Sequence, residues 1–369
     1  MAEDRKDASK VSSKAAASGL EGKMIGGRYR IRHQLGLGGS ATVYEAEDTS
    51  FGRLVALKIP HDNVGPNSVP AKRLLREARA SGAVGHPNVC QVSEIGTMPS
   101  GSPFVVMERL VGDTLRDRIT QEGRLPVGDL VDVMMQILSG LGAAHERGII
   151  HRDIKPENIF LSRRSGCPAL VKILDFGLVS TDAPMREELT QAGMVVGTPY
   201  YLAPEQVRGV RDFDPRVDLY ACGVVLYEAA TGRRPFTASN VAGLFREILA
   251  ASPVPLSDLR RDAPPALGEV IRRAMSPSPQ TRYANVSEFQ HSLSRVTTDP
   301  PTPASFMPFK AAKQSAKLDG PLPAFDIPLD ETRVEGPAVV FEVTEDEEWE
   351  QVTLKKPAPR PPPVPKKRP

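Results

Sequence analysis

The sequence predicts an α+β fold of two lobes, a small β-rich lobe followed by a larger, mostly helical one. Three observations lead there. Residues 29–59 and 104–107 hold runs of β-branched and apolar residues of strand length. From about residue 113 the apolar residues recur at helical spacing instead. The two ends, 1–27 and 297–369, lack the apolar clusters that a core needs. The organisation is therefore a flexible leader at 1–27, a folded body at 28–296 and a tail at 297–369. Within the body the small lobe spans 28–107, a connector 108–112 and the large lobe 113–296.

The elements follow in order. The leader carries charges and small residues without an apolar run, so it is not a secretory signal. Tyr29, Ile31 and His33 begin a strand, and Ala41–Tyr44 and Leu54–Ile59 form two more. Residues 71–83 read as a helix, with Leu74, Leu75 and Ala78 on one side and charges on the other. Phe104–Met107 is a further strand. Leu130, Met134, Ile137 and Leu141 recur at spacings of four, three and four, the stripe of a packed helix. Arg216–Thr231 is another apolar helix, closed by Gly232. A cleft between two such lobes suits a bound small molecule.

The tail is proline-rich. Residues 342–350 carry six acids and residues 355–369 six bases. Blocks of opposite charge with little apolar content read as disordered. A sharper reading makes RPPPVPKK a left-handed polyproline ligand for an aromatic groove, with Trp349 in a docking segment.

Totals exclude several classes. The chain has 369 residues and a net charge of +2, which argues against a nucleic-acid binder driven by bulk charge. Cys90, Cys167 and Cys222 fit neither a disulfide framework nor a zinc pattern. His145 and His151 lie six apart, off a shared helix face. No stretch reads as the roughly 20 apolar residues of a membrane span. A soluble protein of a reducing cytoplasm is the expectation, and nothing in the chain signals an oligomeric state.

Chemistry concentrates in two motifs, HRDIKPEN at 151–158 and DFG at 175–177. Asp153 can accept a hydroxyl proton, and Lys155 can offset charge on a moving phosphoryl group. Asn158 and Asp175 offer the oxygen atoms that Mg²⁺ prefers. Upstream, LGLGGSATV at 35–43 places Gly36, Gly38 and Gly39 where backbone N–H groups can approach phosphates. A second GLG at 140–142 falls inside a helix and carries no such meaning. Lys58 sits on a strand in VALKIP, flanked by Leu57 and Ile59. An inward ammonium needs a partner, and Glu77 on the next helix is the best one.

With these motifs the chain resembles the eukaryotic-like (Hanks-type) serine/threonine protein kinases, and IKPENIF and GTPYYLAPEQ look most like the bacterial branch. The resemblance covers roughly residues 28–295. It implies a bilobal protein-kinase fold, ATP and Mg²⁺ as cofactors, and protein substrates with Ser or Thr acceptors. It implies that Leu35, Gly36, Leu37, Gly38, Gly39, Ser40, Ala41, Thr42 and Val43 line the nucleotide, with Leu35 and Val43 around the adenine. Ala41 stands where the family has a third glycine. Ala56 would complete the base pocket and Met107 would gate it, while the Glu108 and Leu110 backbones would bond the base. Lys58, oriented by Glu77, would meet the α- and β-phosphates. Asp153 would act as general base or hydroxyl-orienting residue, and Lys155 favours Ser and Thr acceptors. His151 would hold the loop, Asn158 and Asp175 would hold the metal, and Phe176 would pack to set the active state. Thr198 would help shape the acceptor site. Thr190 is the expected main autophosphorylation site, with Ser180 and Thr181 weaker, and a phosphothreonine-reading partner could follow. Glu205 is expected to pair with Arg282, and Asp218 to steady the catalytic loop. A pseudokinase scaffold and a small-molecule kinase are the alternatives. The complete set Lys58, Asp153, Asn158 and Asp175 weighs against the first, and the GTPYYLAPE segment against the second.

Overall fold

The computed structural model describes residues 19–61, 65–164, 167–176, 199–210 and 213–296. The small lobe is a six-stranded antiparallel sheet. Its strands are β1 (Met24–Ile25), β2 (Tyr29–Leu37), β3 (Ala41–Asp48), β4 (Arg53–Pro60), β5 (Val92–Thr97) and β6 (Pro103–Glu108), in the order β1-β2-β3-β4-β6-β5. The leader was expected to reach residue 27, but β1 pairs with Tyr29 and Arg30, and Ile25 is buried. The folded body therefore begins earlier. A two-residue strand with one apolar contact is too short to leave a pattern in the sequence.

The period of two along each strand sorts the sheet into two faces. Tyr29, Ile31, Val55, Leu57, Ile59, Phe104 and Val106 pack together on one face. The other face carries two cross-strand rows, because residues directly opposite one another share a face. One row is Val43, Lys58 and Val105, and the next is Glu45, Ala56 and Met107. The alternation that buries Leu57 and Ile59 thus turns Ala56 and Lys58 to the opposite side.

Helix α1 (Val69–Val84) crosses that second face. Ser68 caps it by accepting the Ala71 N–H at 3.3 Å, and Gly85 ends it in the left-handed region. Leu74 and Ala78 meet Val105 in the small lobe. Ala80 and Val84 join the core of the large lobe. A parallel bridge from Val89 to Ile173 ties the segment after α1 to the large lobe as well.

The large lobe opens with β7 (Gly112–Thr114), which pairs with β8 (Ile159–Arg164) and through it with β9 (Cys167–Ile173). Helices α2 (Leu115–Glu122), α3 (Val127–His145), α4 (Pro204–Val207) and α5 (Arg216–Thr231) follow. Then come α6 (Val241–Ala250), α7 (Leu256–Leu259), α8 (Pro265–Ala274) and α9 (Val286–Ser294). Helix α5 is buried from Val217 to Ala230 and forms the centre of the lobe. Its sequence is apolar all round, as burial on every side requires. Gly232 ends it at φ 73°, and a Cβ there would lie 2.4 Å from the Gly123 carbonyl oxygen.

One expectation needs correction. By length and composition, α3 is long and apolar enough to cross a membrane. Half of its span is buried inside the fold, where Leu130, Val133, Met134, Ile137, Leu138 and Leu141 pack into the lobe.

Candidate active site

The expected site residues lie on β2, β3, β4, α1 and β6, on the connector at 109–111, in the loop at 151–158 and at Asp175. Leu35, Gly36 and Leu37 end β2, and Gly38, Gly39 and Ser40 form the turn into Ala41, Thr42 and Val43 of β3. The Gly38 N–H donates to the Ala41 carbonyl at 2.9 Å, and the His61 N–H to the Ser40 carbonyl at 3.1 Å, so the turn is held at both ends. A Cβ built on Gly36 or Gly39 would meet nothing within 4 Å. Open space borders these two glycines, as a phosphate cradle needs.

Lys58 projects from the sheet face that also carries Val43, Ala56 and Met107. Its Nζ lies 3.2 Å from Glu77 Oε2 and 2.6 Å from Asp175 Oδ1. Burial pulls the ammonium's pKa down, but the carboxylates of Asp175 and Glu77 outweigh it and hold the pKa above its ordinary value. Glu77 moves up because burial dominates there, and the lysine's charge is shared with a nearer carboxylate.

The loop at 151–158 and the DFG segment each hold one residue of unusual backbone, and a buried acid of α5 supports the first. Arg152 has φ 65° and Asp175 φ 45°, unusual for residues with a Cβ. Asp218, on the first turn of α5, offsets the first. Its two oxygens accept the backbone N–H groups of His151 at 2.9 Å and Arg152 at 2.8 Å. His145 Nε2 lies 2.8 Å from the same carboxylate. Burial alone would raise the Asp218 pKa, but the hydrogen bond and charge of His145 help bring it below the ordinary carboxylate value.

His151 bonds on both ring nitrogens. Nδ1 accepts the Asp153 N–H at 3.2 Å, so Nε2 carries the proton and donates it to the Leu174 carbonyl at 2.9 Å. Its ring stands 4.7 Å from the buried Phe176 ring. The Leu174 N–H in turn donates to the Asn158 carbonyl at 2.8 Å. Leu174 is thereby fixed from both sides, which seats Asp175 beside Asn158. Lys155 Nζ reaches Asp153 Oδ2 at 2.6 Å. Asn158 Nδ2 donates to the Asp153 carbonyl at 2.8 Å and to Asp153 Oδ2 at 3.0 Å. Among the described residues neither Asp153 Oδ1 nor Asn158 Oδ1 accepts a donor.

Glu108 and Leu110 stand at the connector. The Glu108 N–H donates to the Gln91 carbonyl at 3.0 Å. The Glu108 carboxylate accepts Lys172 Nζ of β9 at 2.6 Å. Because β6 ends at Glu108 and β7 starts at Gly112, the irregular connector is residues 109–111, shorter than 108–112. Glu205 pairs with Arg282 through two bonds of 2.7 Å, deep in the large lobe. Thr198, Thr190, Ser180, Thr181, Gly177 and the tail lie outside the described residues.

Three functional-region contacts were missing from the sequence reading: His145 on Asp218, Lys172 on Glu108, and Arg109 on Glu45. Each joins residues 64 or more apart, and no local pattern links such positions.

The donor set fits Mg²⁺. Asn158 Oδ1 and the Asp175 carboxylate are hard oxygens, and Mg²⁺ completes its shell with water and phosphate rather than with a full protein cage. Consistent with so sparse a set, no cluster of three or more His, Cys, Asp or Glu side chains suited to a metal occurs among the described residues.

Comparison with known proteins agrees with this arrangement. The protein kinase domain family matches residues 29–293. Serine/threonine-protein kinase pkn3 of Myxococcus xanthus is 38% identical over 309 residues, which is 82% of this chain and 55% of that protein. Serine/threonine-protein kinase Pkn1 of the same organism is 40% identical over 268 residues, covering 72% of this chain and 38% of its relative. The match therefore spans about half or less of those relatives' own lengths. Among solved structures, the PknI kinase domain of Mycobacterium tuberculosis superposes with a TM-score of 0.58 at 25% identity, covering 75% of this chain and 99% of that one. From the catalytic-loop geometry and the length of the family match together, the chain belongs to the protein kinase domain family.

Proposed function

We propose that the chain is an ATP- and Mg²⁺-dependent serine/threonine protein kinase of bacterial signalling. The observation that carries this reading is the double tie at Leu174, which seats Asp175 against Asn158 while Lys58 reaches it from the other lobe.

The protein's own residues supply most of the work. Val43, Ala56 and Met107 share a sheet face that suits the flat base. Lys58 stays charged and offers its ammonium to phosphate oxygens. Asp153 Oδ2 is held by Lys155 and Asn158, so Oδ1 can orient the acceptor hydroxyl and take its proton. The hydroxyl oxygen forms a bond to the γ-phosphorus as the bond to the β-phosphate oxygen breaks. Lys155, beside Asp153, offsets charge on the group in transit. Mg²⁺ bound by Asn158 and Asp175 would neutralise charge on the β- and γ-phosphates. Thr198 shaping the acceptor site and Thr190 as a self-phosphorylated residue belong to the same proposal. Cytoplasmic residence is supported by the free, buried thiols of Cys90 and Cys222.

The test is transfer of labelled phosphate from ATP, with Mg²⁺, to a generic basic protein and to the chain itself, followed by phosphosite mapping. Transfer to Ser or Thr that Asp153→Asn lowers by about a hundredfold or more supports the proposal. Equal label with wild type and Asp153→Asn would remove it and leave a scaffold that binds without transfer.

A further inference from the structure

A groove on the large lobe shares no residue with the site above. It runs between helix α8 and the segment 251–257, which leads from α6 into α7, and encloses about 710 Å³. Tyr227, Leu256, Ile271 and Met275 line it and are buried. Five prolines border it, and a proline offers no N–H to a ligand. Val254 stands at the edge, 50% exposed. The Tyr227 hydroxyl is already engaged. It donates to the Val254 carbonyl at 2.9 Å, which fixes that segment as a wall. No lining side chain holds a buried polar atom without a partner. A site for a small polar ligand needs a few such groups aimed inward. This groove instead gains from apolar contact.

Gly268 of α8 keeps one side open. A Cβ built there meets only Leu256 Cβ, at 3.9 Å.

The chain carries an occupant of the right kind. The description of the body ends at Val296, which belongs to the same core cluster as Ile271 and Met275. Helix α9, just before it, packs on α8, where Glu288 pairs with Arg273. Ten residues beyond Val296 comes the run Phe306-Met307-Pro308-Phe309. Four residues are too few for a core but enough to fill a groove. Prolines at 300, 301, 303 and 308 favour the polyproline conformation. Ten residues of it reach about 31 Å, roughly twice the length of α8, so the run can meet the groove from the end of α9. Three residues per turn would put Phe306 and Phe309 on one side, about 9 Å apart.

We propose that residues 302–309 of the same chain lie in this groove, with Phe306 and Phe309 as the anchors. The surface is thus a docking site for the start of the tail, independent of the transfer reaction.

The test is photo-cross-linking of the full chain carrying p-benzoylphenylalanine in place of Phe306, in an equal mixture of light and heavy-isotope protein. Cross-links to 251–277 within one chain are expected. Gly268→Leu fills the groove from ordinary helical backbone, and Leu is a better helix former than Gly. It should lower the yield by about tenfold, the effect of losing one buried aromatic side chain. Hydrogen exchange gives a second readout. The double variant Phe306→Asp with Phe309→Asp should speed exchange at 266–269 by about tenfold relative to wild type. Cross-links outside 251–277 overturn the proposal, as do cross-links between light and heavy chains, which would mean that a second copy fills the groove. A yield unchanged by Gly268→Leu, or exchange within about twofold of wild type in the double variant, overturns it as well.

Discussion

Asp218 shows how much one buried side chain can organise. It accepts two backbone N–H groups and faces His145, and it does so where Arg152 departs from ordinary backbone geometry. Asp218→Asn should cost about 3–5 kcal/mol of stability, the typical result of breaking a buried charged network. The pH dependence has a definite sign. The folded pKa lies below the unfolded one, so the contribution is complete above about pH 4 and fades as pH falls through the folded value. The gap in Tm between wild type and variant should be full at neutral pH and narrow in acid. Lys58→Met should keep the fold, because Met is apolar and of similar length at a side chain only 13% exposed, but lower transfer by about a hundredfold or more. Near-normal turnover in that variant would remove Lys58 from the site. Residues 151–158 and 175 were legible because they sit in short contiguous motifs. The partners that hold them were less so: Glu205 with Arg282 and Asp218 with the loop came only through family resemblance, and His145 and Lys172 not at all.

At the scale of elements, caps and turns decide where structure stops. Ser68→Ala at the start of α1 should cost about 1 kcal/mol in denaturant unfolding. Gly232→Ala should cost more, roughly 1–3 kcal/mol, because a left-handed φ is combined with a 2.4 Å approach to the Gly123 carbonyl. A change within experimental error at Gly232 would mean that the turn relaxes freely. Long periodic elements could be read from the sequence: the 71–83 helix is Val69–Val84, and the Arg216–Thr231 helix has the expected bounds. Strands β1, β5, β7, β8 and β9 were not. Some are two or three residues long, and β5 alternates exposed and half-buried positions with few strongly apolar residues. Their pairing is set by neighbours distant in sequence, which a local pattern does not encode.

For the whole molecule, the pair Glu205–Arg282 links the start of α4 to the segment before α9. The Arg282 side chain is fully buried and also bonds the carbonyls of Ser276, Arg216 and Pro277. Arg282→Met should lower stability by about 3–5 kcal/mol, read as an early unfolding transition, by leaving Glu205 and three carbonyls without their donor. The division into a strand-rich and a helical lobe was legible because strand and helix periods differ. The way α1 belongs to both lobes was not. Leu74 packs with the sheet and Val84 with the large-lobe core, and that split depends on which surfaces fold back on the helix.

The two cores are unequal. Among the described residues the main cluster of the small lobe has ten members and that of the large lobe forty-seven. Less apolar surface holds the sheet than holds α5, so the sheet is the part that opens first and most often. In heavy water its amides would trade their protons well ahead of those around Val224 and Leu226, and a ligand wedged beneath the sheet would slow that trade more than any change made deep among the helices.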